Sequence, residues 1–187
     1  TLPFDHHLAT GDPVYYDAQG NSNIGGLVSG TTYFAIVEDD EPTILKLASS
    51  YDNAVAGTEI PLDLTEIGTD VDQLHSLYPG IDPQYGGVDL ASSEIQTNSL
   101  HGLVTGQPVV YHSGGNNPIG GLTNGETYFV VVTGESRYRL APSYAIAEDS
   151  GFTGDEFNLI TLSFGATGRG HVLLPTEYDE VKKAEWL

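Results

Sequence analysis

The chain says the same thing twice, and that constrains its fold more than anything else in it. Residues 101–132, HGLVTGQPVVYHSGGNNPIGGLTNGETYFVVV, align without a gap to residues 6–37, HHLATGDPVYYDAQGNSNIGGLVSGTTYFAIV. The offset is about 95, and about 18 of the 32 positions are identical. The correspondence continues downstream with small slips: Leu47-Ala48 answers Leu140-Ala141, Ala54 answers Ala147, and Gly57 and Glu59 answer Gly154 and Glu156. Gly68 answers Gly165, and His75, Leu77 and Pro79 answer His171, Leu173 and Pro175. A length of 187 residues at this period fits two small domains better than one large one. The expected division is a first β-module over 1–80, a linker plus leading strand over 81–98, and a second module over 99–187. The alternating Val88-Asp89-Leu90 and Glu94-Ile95-Gln96 have no equivalent ahead of the first copy. That copy is therefore read as cut short by a strand, or as taking one from elsewhere.

The local pattern is that of strands and turns. Gly 23 and Pro 10 punctuate short apolar runs. Val14-Tyr15-Tyr16 and Val109-Val110-Tyr111 alternate, and Tyr33-Phe34-Ala35-Ile36-Val37 is aromatic, β-branched and almost continuously apolar. Ile24-Gly25-Gly26-Leu27 and Ile119-Gly120-Gly121-Leu122 predict a tight backbone reversal that tucks two aliphatic side chains against a core. Ser49 or Ser50 can cap one or two helical turns that Gly57 ends, with a matching short helix near 143–148. Strands are also expected over 60–64 and 157–164. Six to seven short strands and one brief helix per copy predict an all-β chain of two small antiparallel barrel or sandwich modules. The expected core is Val14, Leu27, Tyr33 and Phe34, repeated as Val109, Leu122, Tyr128 and Phe129. The segment 79–87, PGIDPQYGG, reads as a semi-rigid linker.

Composition narrows the partners. There are 26 acidic residues against 6 basic ones, a formal net charge of −20. Such a surface repels nucleic-acid backbones and anionic membranes and attracts cations. No apolar run approaches the 18 or more residues of a membrane-spanning helix. An acidic surface suits a salty extracellular medium, where charges more than roughly 8 Å apart are screened. Cys 0 removes disulfides and thiolate chemistry, and with Met 0 the sequence is expected to be a piece of a longer protein.

With those motifs in place, His-x-Leu-x-Thr-Gly-Asp/Gln-Pro-Val, Ile-Gly-Gly-Leu, Gly-x-Thr-Tyr-Phe-x-x-Val, Leu-Ala and the closing His-x-Leu, the chain resembles a tandem β-module. Such modules recur in very large secreted or surface-attached bacterial proteins of the RTX-adhesin kind, and in similar form in phage tail proteins. The resemblance covers 6–79 and 99–175. It implies an extracellular, non-catalytic repeat at a bacterial cell surface, stacked on neighbouring modules of the same parent chain, and it carries over no catalytic residues. The Gly-Gly-x-Gly-x-Asp calcium nonapeptide of RTX proteins is missing from the sequence.

Three groups of residues carry the candidate chemistry. His6 with His75, and His101 with His171, recur in both copies and would form a transition-metal site if the first and last strands of a module are neighbours. The plainer expectation is that each imidazole bonds the backbone of the Thr-Gly turn. Asp70, Asp72, Asp82 and Asp89 flank the junction and supply hard oxygen ligands suited to calcium, while Asp39, Asp40 and Glu41 crowd a hairpin tip. Tyr51, Tyr85 and Tyr144 are the tyrosines expected at the surface, where aromatic rings stack on glycans or another cell-surface ligand. No Gly-x-Ser-x-Gly elbow, His-Glu-x-x-His, phosphate loop or dinucleotide fingerprint is present. The function expected is a spacer and ligand-presenting unit of an adhesin, with a carbohydrate- or surface-binding module and a phage tail structural domain as alternatives.

Overall fold

The computed structural model describes residues 5–38, 40–41, 43–63, 65, 74–153 and 158–176, with 150–153 as backbone alone. The chain forms two compact units, residues 1–80 and residues 81–187. Unit 1 holds β1 (Pro13–Asp17), β2 (Thr31–Ile36), β3 (Lys46–Ala48), the helix α1 (Tyr51–Val55) and β4 (Ser76–Pro79). Unit 2 holds β5 (Val88–Asp89), β6 (Glu94–Gln96), β7 (Pro108–His112), β8 (Thr127–Gly134), β9 (Arg137–Ala141), the helix α2 (Tyr144–Thr153) and β10 (Val172–Pro175). Both sheets are antiparallel, in the orders β3-β2-β1-β4 and β10-β7-β8-β9-β6-β5. The fold is all-β and sandwich-like in class. The repeat is visible in the topology, since β9-β8-β7-β10 reproduces β3-β2-β1-β4.

The almost continuous apolarity of β2 and β8 follows from burial on both faces. In unit 2, Tyr128 and Val130 point to one side and join Val109, Tyr111, Leu122 and Leu140 in the main core. Phe129 and Val131 point to the other side, where Tyr144 and Ala147 of α2 cover them. Unit 1 repeats the division: Tyr33 packs with Val14, Tyr16, Leu27 and Leu47, while Ile36 and the half-buried Phe34 meet Ala54 of α1. α1 begins where the Ser50 hydroxyl accepts from the Asn53 N–H at 3.2 Å.

The Ile-Gly-Gly-Leu reversal forms in both copies. The Leu27 N–H donates to Ile24 C=O at 2.8 Å, and the Leu122 N–H to Ile119 C=O at 2.9 Å. The second glycine of each pair sits at positive φ, +91° at Gly26 and +95° at Gly121, as a type II turn requires. A Cβ there would also run into backbone, 2.6 Å from Pro61 O in unit 1 and against Thr161 O in unit 2.

Three expectations change. The segments 60–64 and 157–164 do not form strands; their described residues make single bridges, Gly25 with Asp63 and Gly120 with Ser163. Each segment thus meets a glycine turn at one residue pair, and Leu64 and Phe157 lie outside the described residues. Within 81–98 the alternating stretches form strands as expected, β5 and β6, but 81–87 is not a linker, since the whole segment belongs to unit 2. Ile81 is 1% exposed and bridges His171, and β5 and β6 extend the sheet. The prolines and glycines of 79–87 thus shape an ordered loop, with Gly80 N–H bonded to Pro13 C=O at 2.8 Å and Gly87 N–H to Asp82 C=O at 2.9 Å.

Candidate functional site

The repeated histidines are structural donors and acceptors. In unit 2 the Ile119 N–H donates to the Tyr111 hydroxyl at 2.9 Å, and that hydroxyl lies 2.7 Å from His171 Nδ1. His171 Nε2 lies 2.9 Å from Thr167 C=O. A carbonyl only accepts, so the proton sits on Nε2, and Nδ1 accepts from the tyrosine. Neither Tyr111 nor His171 has exposed surface. Burial pushes the Tyr111 hydroxyl up to about 12. Burial also lowers the His171 imidazole below its ordinary value, against a smaller upward pull from Thr167 C=O and Asp82. Unit 1 repeats the chain as Ile24 N–H, Tyr16 hydroxyl and His75 Nδ1, at 2.9 Å and 2.9 Å.

His6 and His101 act elsewhere in the module. His101 Nδ1 accepts from Leu103 N–H at 2.9 Å, its Nε2 lies 2.8 Å from Gly134 C=O, and its ring meets Tyr138 edge-on at 5.1 Å. His6 Nδ1 accepts from Leu8 N–H at 3.0 Å. His101 therefore sits beside β8 and β9, whereas His171 precedes β10 on the far side of β7. The structure does not bring the two together, and both ring nitrogens of each are engaged with protein atoms. Among the described residues no three His, Asp or Glu side chains gather as a metal-holding group.

Of the junction carboxylates, Asp70 and Asp72 lie outside the described residues. Asp82 anchors its own loop: it accepts from Gln84 N–H at 3.1 Å and holds Arg169 Nε at 3.2 Å, both side chains mostly buried. Asp89 accepts from Ala91 N–H at 2.9 Å, and that bond, with help from Ser92, holds its carboxyl below the usual range. At the acidic tip, Asp39 lies outside the described residues, and Asp40 and Glu41 are exposed.

The tyrosines divide. Tyr144 is 2% exposed, and Tyr51 is half-buried, so neither stands out from the surface as expected. They are equivalent residues at the starts of α2 and α1, lying beneath the Thr-Gly turns. A Cβ on Gly11 would sit 2.6 Å from the Tyr51 ring, and one on Gly106 2.8 Å from the Tyr144 ring. The recurring glycine thus makes room for the recurring tyrosine. Tyr85 is different, being 71% exposed with the Arg169 guanidinium 4.2 Å over one ring face. The Asp82 carboxylate fixes that guanidinium, so the tyrosine is braced on one side.

Close to Tyr85 in sequence and fold lies a cleft of about 480 Å³ in unit 2. Val88, Leu90 and Ile119 supply apolar lining, Gln84, Asp89 and Ser163 supply polar groups, and Phe164 stands at its edge, 91% exposed. Phe164 and Arg169 escaped the sequence reading. Alternation puts Phe164 at the end of a strand, and the signal for its exposure is a lone aromatic ahead of Gly165-Ala166. Arg169 was legible as a rare cation between two glycines. Chemically, an apolar floor with a few polar groups and projecting rings can hold a ring-shaped polar ligand. Comparison of the chain with protein-family models, with curated proteins and with solved structures returns no match.

Proposed function

We propose that this chain is a non-catalytic extracellular repeat unit of a large bacterial adhesin, serving as spacer and as ligand-presenting module. One observation supports the spacer role above others: the residues that recur between copies serve the interior. Tyr16 and Tyr111 bond His75 and His171, Tyr33 and Tyr128 accept from Val28 and Thr123 N–H at 2.8 and 2.9 Å, and the shared glycines admit close-packed backbone. Duplication has preserved folding residues, as expected of units whose task is to stay folded in series. The test is mechanical. Held between two handles, the chain should lengthen in two discrete events, about 28 nm for the 80 residues of unit 1 and more for unit 2. Continuous yielding without discrete events, or turnover of a polysaccharide by the purified chain, would count against the proposal.

Ligand presentation is supported by the cleft in unit 2, flanked in sequence and fold by the exposed Tyr85 and Phe164. Carbohydrate is the ligand class that such rings and neighbouring polar groups suit. A glycan array read with the intact chain and with Phe164→Ala tests it: binding lost in the variant supports the reading, and no binding by the intact chain refutes it.

A further inference from the structure

The copies agree inside and differ on one outer sheet face. Unit 1 carries Tyr15, Asp17, Gln19 and Tyr78 where unit 2 carries Val110, His112, Gly114 and Leu174. The fold does not ask for the two tyrosines, since unit 2 forms the same strands with aliphatic residues in their places.

Strand register gathers the set. Tyr15 stands opposite Tyr78 across β1 and β4, and opposite Thr32 across β1 and β2. Directly opposed side chains share a face, with Cβ atoms about 5 Å apart. Val14 and Tyr16 enter the core, so Tyr15, Asp17 and Tyr78 project from the other side of the sheet. On that side α1 covers Phe34, Ile36 and Ala48, and Tyr15 and Tyr78 lie farther along, both half-buried. Sheet length does not alter this face: in unit 2 the added β5 and β6 lie beyond β9, in the plane of the sheet.

Side-chain bonds hold the cluster in place. The Tyr78 hydroxyl accepts from Gln19 Nε2 at 3.0 Å, and Asp17 Oδ2 lies 3.2 Å from the same nitrogen. Asp17 Oδ1 accepts from the Gln19 N–H at 2.8 Å and from the Ser29 hydroxyl at 3.3 Å. The Tyr15 hydroxyl reaches toward the same turn, where a Cβ on Gly30 would lie 3.6 Å from it. Burial first, then the charge of Asp17 and the neighbouring Tyr78, hold that hydroxyl above its ordinary range. Every donor to Asp17 is neutral. Among the described residues no cation pairs with it, while Lys46, Arg137 and Arg169 face other carboxylates. Two tyrosine rings therefore sit beside an uncompensated negative charge.

Unit 2 shows what such a set holds. There the Arg169 guanidinium lies 4.2 Å over the Tyr85 ring while its Nε bonds Asp82 at 3.2 Å. A planar, weakly hydrated guanidinium can stack on an aromatic ring and donate to a carboxylate at once, which a compact ammonium does less well. Unit 1 offers the tyrosines and the carboxylate without the arginine.

We infer that the face of unit 1 at Tyr15, Asp17 and Tyr78 binds an arginine side chain of a partner polypeptide. The guanidinium stacks on the tyrosine rings and donates to the Asp17 carboxylate, and Gln19 keeps Asp17 and Tyr78 in position. The inference stands apart from carbohydrate binding by unit 2.

The experiment titrates the isotope-labelled full chain with the blocked tripeptide acetyl-Gly-Arg-Gly-amide and follows it by NMR. Shifts should gather at Tyr15, Asp17, Gln19 and Tyr78. The same peptide with citrulline for arginine, equal in shape but neutral, should bind at least about tenfold more weakly. Asp17→Asn should weaken arginine binding about tenfold at low salt. Tyr15→Val and Tyr78→Leu, which borrow the residues of unit 2, should each weaken it about two- to fivefold with near-native melting curves. Three outcomes overturn the inference: no local shift up to about 10 mM peptide, shifts spread over the acidic surface and indifferent to Asp17→Asn, or equal binding of the citrulline peptide. Shifts at these residues with maltotriose but not with the arginine peptide would make the face a carbohydrate platform, and overturn it too. So would self-association that Arg137→Gln abolishes, since a second copy would then be the donor.

Discussion

Units 1 and 2 share a four-strand core and diverge beside β3 and β9. Where β6 covers β9, the chain places Tyr138, a large ring that is 2% exposed with its hydroxyl driven well above the ordinary tyrosine range by burial. Where no described strand pairs with the outer side of β3, the same position holds Leu45, smaller and half-buried. The side chain follows the coverage: the four-strand core tolerates either state of its edge, and the residue at that edge adjusts its size. Tyr138→Ala should therefore remove about 3–5 kcal/mol from unit 2. Leu45→Ala should remove only about 1–2 kcal/mol from unit 1, because part of its surface already meets water. Hydrogen exchange resolved by residue reads the two units separately, and equal losses would break the comparison.

A position that the copies treat alike gives the next effect. Ala at Gly26 or Gly121 meets positive φ and neighbouring backbone together. Each substitution should cost its own unit about 2–4 kcal/mol. Should one copy accept alanine freely, the Ile-Gly-Gly-Leu turn would be a shared motif without a shared constraint.

The buried tyrosine–histidine pair sharpens the comparison through pH. Replacing His171 with Ala leaves the Tyr111 hydroxyl and Thr167 C=O without their partner, a cost of about 1–3 kcal/mol. Because burial lowers the folded affinity of His171 for a proton, the unfolded chain binds that proton more readily. The contribution is fully present above about pH 6.5 and is lost as pH falls through the lower folded value. Thermal melts of unit 2 should therefore weaken with acid from that point, and His171→Gln should flatten the slope. An unchanged slope in the variant would place the acid sensitivity on other groups.

Much of this was legible because repetition marks what a fold needs. The reversals at Ile24–Leu27 and Ile119–Leu122, the core residues Val14, Tyr33, Val109 and Tyr128, and the Ser50 cap follow from local rules of turn, alternation and capping. Long-range choices did not. Tyr16 and Tyr111 carried no sign that they would meet histidines about 60 positions later, because that meeting depends on β4 and β10 pairing with β1 and β7. Tyr51 and Tyr144 looked exposed because they sit outside strands; the glycines that receive their rings lie about 40 residues away. Ile81 was hidden among prolines and glycines, where composition spoke for a linker and a single buried bridge decided otherwise.

The smallest effect on stability tests the largest functional difference between the units. Among the described residues of unit 1, no segment aligns with the loop that carries Tyr85. Tyr85→Ala removes a ring that is mostly in solvent and its stacking against Arg169, while Arg169 keeps Asp82. Stability should fall by about 0.5–1 kcal/mol at most. If unit 2 alone presents ligand, carbohydrate binding should drop about tenfold or more in this variant, a loss that its near-native melting curve cannot explain. Binding that survives both Tyr85→Ala and Phe164→Ala, or that maps to amides of unit 1, would mean that the extra loop and strands of unit 2 complete a sheet and nothing more.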